Sequence, residues 1–122
     1  MVKEKVHLLV VDDDPDAGDT LNHYLSARGY EVNVANSGKE ALVILDNQKI
    51  DVVLLDIMLP DVNGDIIAKT IKDKQPDVKI IIVTGYPDSA DLVSRLVTVD
   101  GCCFKPSGIE DIYNKLRELQ TH

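Results

Sequence analysis

The sequence predicts a doubly wound α/β domain, in which a parallel sheet carries helices on both faces. Three observations lead to this class. Short apolar runs alternate with segments of helical periodicity from one end of the chain to the other. The connections between them are short, as βα units joined by right-handed crossovers require. One run, Val52–Leu55, is apolar at every position, which suits a strand buried on both faces.

The elements follow in order. Val6–Val11 (VHLLVV) reads as the first strand, and Leu21, Tyr24 and Leu25 then recur at helical spacing until Gly29, a natural helix terminator. Asp14 precedes Pro15 and is accounted for as an N-cap with Pro in the first helical position. Val32–Ala35 is a short second strand. Ser37 and Glu40 form a capping box that opens a helix through Ala41, Leu42 and Leu45. Val52–Leu55 is the third strand, Ile67–Lys74 a helix that stops near Pro76, and Ile80–Val83 the fourth strand. Asp88 can cap a helix through Val97. Cys102–Phe104 is a fifth strand, and Ser107 with Glu110 makes a second capping box before Ile109, Ile112, Tyr113, Leu116 and Leu119. The pattern is βα repeated five times, without internal repeat, low-complexity segment or linker, so residues 1–122 are expected to form one domain.

Composition narrows the function. The 122 residues, 44% of them hydrophobic, suffice for one real core. A formal net charge of -8 argues against direct nucleic-acid binding, which draws on Lys and Arg, and favours a metal cation or a basic partner surface. No secretory segment follows Met1 and no apolar run is long enough to cross a bilayer, so a cytoplasmic protein without membrane attachment is expected. Cys102 and Cys103 are adjacent and would point to opposite faces of a strand, so reduced thiols are expected rather than a staple or a redox pair. His7, His23 and His122 add no metal-ligand spacing.

Ligands of open parallel sheets bind beyond the carboxyl ends of the strands. Here those ends carry Asp12 and Asp13 after the first strand, Asp56 after the third, Thr84 after the fourth and Lys105 after the fifth. Each residue alone reads equally well as a solvated turn or surface group. Together they do not, because two carboxylates about 4 Å apart repel by roughly 4 kcal/mol at an effective dielectric of 20. Three of them call for a cation or an abnormal protonation state, and an oxygen-only set suits Mg²⁺ or Mn²⁺. A carboxylate can accept a phosphoryl group when a divalent ion and a Lys neutralise the transferring oxygens and a hydroxyl holds a third. Asp56 is central enough to be that nucleophile, with Asp12, Asp13, Asp56 and the backbone carbonyl of Met58 as metal ligands.

The motifs "LLVVDDDP", "VVLLDIMLPDVNG", "IIIVTGYP" and "FKP", in this order, resemble the response-regulator receiver domains of two-component signalling over essentially the whole chain. The resemblance implies a CheY-like, flavodoxin-like three-layer sandwich with strand order 2-1-3-4-5. It implies Asp56 as phosphoacceptor, Asp12 and Asp13 as the acidic pair, Thr84 as the switch hydroxyl, Lys105 as the phosphate-binding amine, and Mg²⁺ as the ion. The implied donor is a phosphohistidine on a sensor histidine kinase or a histidine phosphotransfer protein. Such a domain catalyses only its own phosphorylation and dephosphorylation and is not a conventional enzyme. The family's usual cis bond makes Lys105–Pro106 a candidate for one.

The sequence departs from the family in two places. Cys102 stands where an aromatic is usual, and Asp100-Gly101 replaces the usual Gly-Ala turn. Cys102 is too small for the family's aromatic movement, which directs attention to Thr84 and to Tyr86 in the loop that follows. The helix expected over 88–97 carries two apolar stripes, Ala90/Val93/Val97 and Leu92/Leu96/Val99, and only one can face the sheet. The other is expected to be exposed, either as ordinary surface or as part of a face of the last two helices that takes a homodimer or an output partner. Three further classes compete. A dehalogenase-type phosphatase would show a DxDxT-like motif, which "DDDPDAGDT" lacks. A flavodoxin-like cofactor binder would need a phosphate cradle where five acids stand between Asp12 and Asp19. A pseudo-receiver, acting as a phosphorylation-independent interaction module, is the remaining alternative.

Overall fold

The computed structural model describes residues 5–56, 61, 64–84, 100–104 and 109–120, with backbone alone for 64, 65, 84, 101–104 and 120. Along the chain come β1 His7–Val11, α1 Pro15–Ser26, β2 Glu31–Ala35, α2 Gly38–Asn47, β3 Val52–Asp56, α3 Gly64–Lys74, β4 Lys79–Thr84, β5 Gly101–Phe104 and a C-terminal helix Ile109–Gln120. All strand pairs are parallel, and their order is β2-β1-β3-β4-β5. The helix expected over 88–97, with both its stripes, lies outside the described residues.

Local chemistry accounts for the element ends. Asp14 has extended backbone and accepts the Asp16 N–H at 3.0 Å, while Pro15 fills the first helical position. Gly29, three residues beyond α1, has φ +93, a conformation that side-chain-bearing residues rarely adopt. At α2, Ser37 Oγ accepts the Glu40 N–H at 3.1 Å. Glu40 reaches back to the Asn36 N–H at 3.3 Å, one residue earlier than a capping box requires. Helix α3 begins at Gly64 rather than Ile67, because its apolar stripe starts only with Ile67, Ala68 and Ile71, all buried.

Strand alternation splits the core in two. Leu9, Val11, Val53, Leu55, Ile80 and Ile82 pack against Ala41 and Leu45 of α2 and Ile67, Ala68 and Ile71 of α3. Leu8, Val10, Val52, Leu54, Ile81 and Val83 face Leu21 and Leu25 of α1 and Ile112 and Leu116 of the C-terminal helix. The sandwich therefore has three layers. All five residues of β3 are buried, and truncating a core Leu such as Leu54 to Ala costs about 2–5 kcal/mol. Helix α1 lies so close to β2 that a Cβ on Gly18 would come within 2.7 Å of Val34 Cγ1.

The amino edge of the sheet is closed by side chains. Asp51 Oδ2 accepts the His7 N–H at 2.8 Å. Gln75, just beyond α3, caps the end of α2 by donating to the Leu45 and Gln48 carbonyls at 2.9 and 2.8 Å. Its amide oxygen accepts the Ile50 N–H at 2.9 Å. On the opposite side of the sheet, Tyr113 of the C-terminal helix meets Tyr24 and Tyr30 edge to face, with ring centroids 6.2 and 6.4 Å away. The Arg28 guanidinium stacks 3.5 Å from the Tyr24 centroid. Burial, reinforced by the neighbouring Tyr113 hydroxyl and opposed by Arg117, raises the Tyr30 pKa.

Candidate functional site

The carboxyl edge gathers the acids. Beyond β1, the Asp12 N–H donates to the Ala35 carbonyl at 3.0 Å, which prolongs the β1–β2 ladder by one residue and fixes Asp12 at the rim. Its Oδ1 accepts the Asp14 N–H at 3.0 Å, so the same carboxylate is tied to the start of α1. Asp56 is itself the last residue of β3, paired with Val83, whereas the sequence ends this strand at Leu55. Alternation puts it on the face of Leu54, which α1 covers.

Asp12 and Asp56 are the only buried polar or charged residues among those described, at 3% and 6% exposure, and Asp13 beside them is exposed. One carboxylate oxygen from each of the three lies within 4.8 Å of the others. Within that distance the buried pair Asp12 and Asp56 would repel by roughly 3 kcal/mol at an effective dielectric of 20, and the pairs with exposed Asp13 by less because solvent screens them. The trio offers oxygen donors only, two from the protein interior and one from the solvent side. That set fits a hard divalent cation retaining part of its water shell. A cleft of about 290 Å³ adjoins it, with Asp12, Asp14, Asp16, Thr20, Val83 and Ile109 in its lining. A larger cavity of about 500 Å³ lies at the amino edge, but its polar groups, Asp51 and Gln75 among them, are engaged in holding backbone ends.

The remaining expected site residues are placed only in part. Thr84 ends β4 one residue beyond Val83, the partner of Asp56, so its backbone reaches the same edge. Phe104 pairs with Thr84, and Lys105 follows it in sequence. Lys105, Met58, Tyr86 and the Lys105–Pro106 bond lie outside the described residues.

One acid at this edge escaped the sequence reading. Asp61, five positions after Asp56, accepts the Gly38 N–H with Oδ1 and the Lys39 N–H with Oδ2, both at 3.1 Å. These N–H bonds at the start of α2 hold its carboxyl below the usual carboxylate range, although it is exposed to solvent. Its partners are 22 and 23 positions away, so no local pattern announces the contact.

Comparison with known proteins agrees with this fold. Residues 8–117 match the family model of the response regulator receiver domain. The response regulator SaeR of Staphylococcus aureus is 36% identical over 116 residues, which cover 94% of this chain and 50% of SaeR. The chain thus spans about half the length of the curated relatives it matches. A CheY-like receiver domain protein from Methanospirillum hungatei superposes with a TM-score of 0.87 at 32% identity, covering 94% of this chain and 93% of the other. The response regulator TrrA of Thermotoga maritima, solved in complex with Mg²⁺-BeF, gives a TM-score of 0.84 at 32% identity, covering 93% of this chain and 98% of TrrA. Among the described residues, no helix is long and apolar enough to cross a membrane.

Proposed function

Because the chain belongs to the response-regulator receiver family of two-component systems, we propose that it is a phosphoacceptor whose nucleophile is Asp56. The observation that carries this reading is the acidic trio at the carboxyl edge, with Asp56 buried on the central strand and Asp12 and Asp13 beside it. An Asp56 carboxylate oxygen attacks phosphorus, the P–N bond of a phosphohistidine breaks, and the imidazole leaves as the acyl phosphate forms. The rigid strand holds the attacking oxygen in place, so little ordering remains to be done in the transition state. Asp12, Asp13, Asp56 and the Met58 carbonyl would hold Mg²⁺ or Mn²⁺, which supplies charge neutralisation on the transferring oxygens. Thr84 and Lys105 bind the remaining phosphoryl oxygens.

The donor is a sensor histidine kinase or a histidine phosphotransfer protein in the cytoplasm. The domain catalyses its own phosphorylation and dephosphorylation and nothing further. Residues 1–122 act as one receiver unit. The face of the last two helices is its surface toward a second copy or an output partner. The Mg²⁺-BeF complex of TrrA supports the metal assignment, since beryllofluoride has the shape and charge of a phosphoryl group. The intact acidic trio disfavours a phosphorylation-independent interaction module.

Intact-mass measurement after treatment with acetyl phosphate and Mg²⁺ tests the reading. One phosphoryl adduct is expected, absent in Asp56→Asn and in excess EDTA. An adduct that persists in Asp56→Asn assigns the chemistry to another residue.

A further inference from the structure

The sheet fixes Asp12 through its N–H bond to the Ala35 carbonyl, and Asp56 through the β3 ladder. Asp61, five positions after Asp56 in the sequence, is bonded to a different element. Both carboxylate oxygens are used, one on the Gly38 N–H and one on the Lys39 N–H. Ser37 Oγ takes the Glu40 N–H, so α2 already carries a regular N-cap from its own sequence. Helix α2 therefore does not depend on Asp61 to begin.

What Asp61 adds is closure of a ring. The Asp12 N–H is bonded to the Ala35 carbonyl, and Ala35 runs through Asn36 and Ser37 into α2. The start of α2 is bonded to Asp61, and the chain leads back from Asp61 to Asp56. Asp56 in turn faces Asp12 across the acidic site. In this ring the Asp61 clamp is the one link made by side-chain hydrogen bonds to a helix terminus. Its two charge-assisted bonds give it direction as well as strength. Its exposure means that burial of the side chain is not its purpose.

We propose that Asp61 is a positioning residue for the acidic site: its bonds to the Gly38 and Lys39 amides tie the chain five positions after Asp56 to α2, so that cation and phosphoryl group meet a preset arrangement around Asp56. The coupling is reciprocal: occupancy of the site tightens the contact between Asp61 and the Gly38 and Lys39 amides. This inference rests on the phosphoacceptor reading, and the experiment separates the two.

Affinity for beryllofluoride in the presence of Mg²⁺ is measured by calorimetry on wild type, Asp61→Ala, Asp61→Asn and Ser37→Ala, with the thermal midpoint of each. Asp61→Ala is expected to bind about fivefold more weakly, the lower end of ordinary coupling between separate sites. Asp61→Asn keeps one acceptor for the two N–H groups and should fall between. Ser37→Ala removes a cap from the same helix without touching the clamp, so it should lose thermal stability yet keep wild-type affinity. In wild type the Gly38 and Lys39 amide resonances should move on binding, and in Asp61→Ala that response should vanish. If Asp61→Ala binds as wild type does, or if Ser37→Ala weakens binding equally, Asp61 is only a second cap and the proposal falls. If wild type itself binds no beryllofluoride, the phosphoacceptor reading falls and takes this one with it.

Discussion

Asp100 and Ile80 are joined twice: the Asp100 N–H donates to the Ile80 carbonyl at 2.8 Å, and Asp100 Oδ2 accepts the Ile80 N–H at 2.8 Å. The ladder between β4 and β5 starts at the next pair, Ile81 with Gly101. Lys72 of α3 adds a bond to the same Oδ2 at 3.1 Å and another to the Val78 carbonyl. The residue that looks in sequence like a departure from the family's Gly-Ala turn is thus a staple joining β4, β5 and α3.

Asp100→Ala leaves the Ile80 N–H and the Lys72 ammonium without this acceptor. We expect a loss of about 2 kcal/mol, in the range for a hydrogen bond to a charged group. Urea denaturation measures it, and Asp100→Asn, which retains an acceptor, should lose less. The phosphoryl adduct should form at the wild-type level in both, because Asp100 stands at the opposite edge of the sheet from Asp56. A wild-type midpoint in Asp100→Ala would mean that backbone pairing alone holds β5.

The staple also marks the boundary of what sequence patterns convey. Apolar periodicity located all five strands to within a residue or two, because burial on both faces leaves a local signature in runs such as Val52–Leu55. Caps at Asp14 and Ser37 were legible for the same reason, since donor and acceptor lie within three residues of each other. The acidic trio was legible because topology brings strand ends together once the fold class is known. Asp51, Asp61, Gln75 and Asp100 were not, since their partners lie 20 to 44 positions away and depend on sheet register and helix placement. Asp56 as the last strand residue was missed because a charged side chain ends an apolar run on paper, whereas the ladder continues through its backbone to Val83.

Mutual repulsion within the trio is expected to lower the stability of the metal-free protein. Asp13→Asn should raise the unfolding free energy without metal by about 1 kcal/mol, since its carboxylate lies within 4.8 Å of the other two but is exposed and therefore screened by solvent. Mg²⁺ should stabilise wild type by about 2.7 kcal/mol at a hundred times its dissociation constant, and removal by EDTA should reverse the gain. Asp13→Asn should gain less at the same Mg²⁺ concentration. Denaturation with and without Mg²⁺ reads both effects, and an Asp13→Asn protein less stable than wild type in EDTA would exclude net repulsion at the site.

Acid should weaken the Asp61 clamp in a defined direction. The carboxyl is held below its ordinary value of 3.8 by the Gly38 and Lys39 N–H groups. A depressed folded-state pKa contributes stability that is present above the unfolded value and is lost as pH falls through the folded one. The stability difference between wild type and Asp61→Asn should therefore be constant near neutrality and shrink as the pH drops below about 4. Taking the difference cancels the titration of the other acids. A difference that is flat down to unfolding would show that Asp61 gains nothing from its charge at α2.

The tyrosine seam gives this protein a built-in spectroscopic label. The chain contains no tryptophan and four tyrosines, and three of these, Tyr24, Tyr30 and Tyr113, meet where the C-terminal helix lies on α1. Near-ultraviolet circular dichroism is therefore weighted toward a single junction between layers rather than averaged over the molecule. The far-ultraviolet signal counts all the helices and the whole sheet. Comparing the two wavelengths during unfolding distinguishes a chain that sheds its last helix first from one that melts as a unit, with no probe attached and no residue replaced.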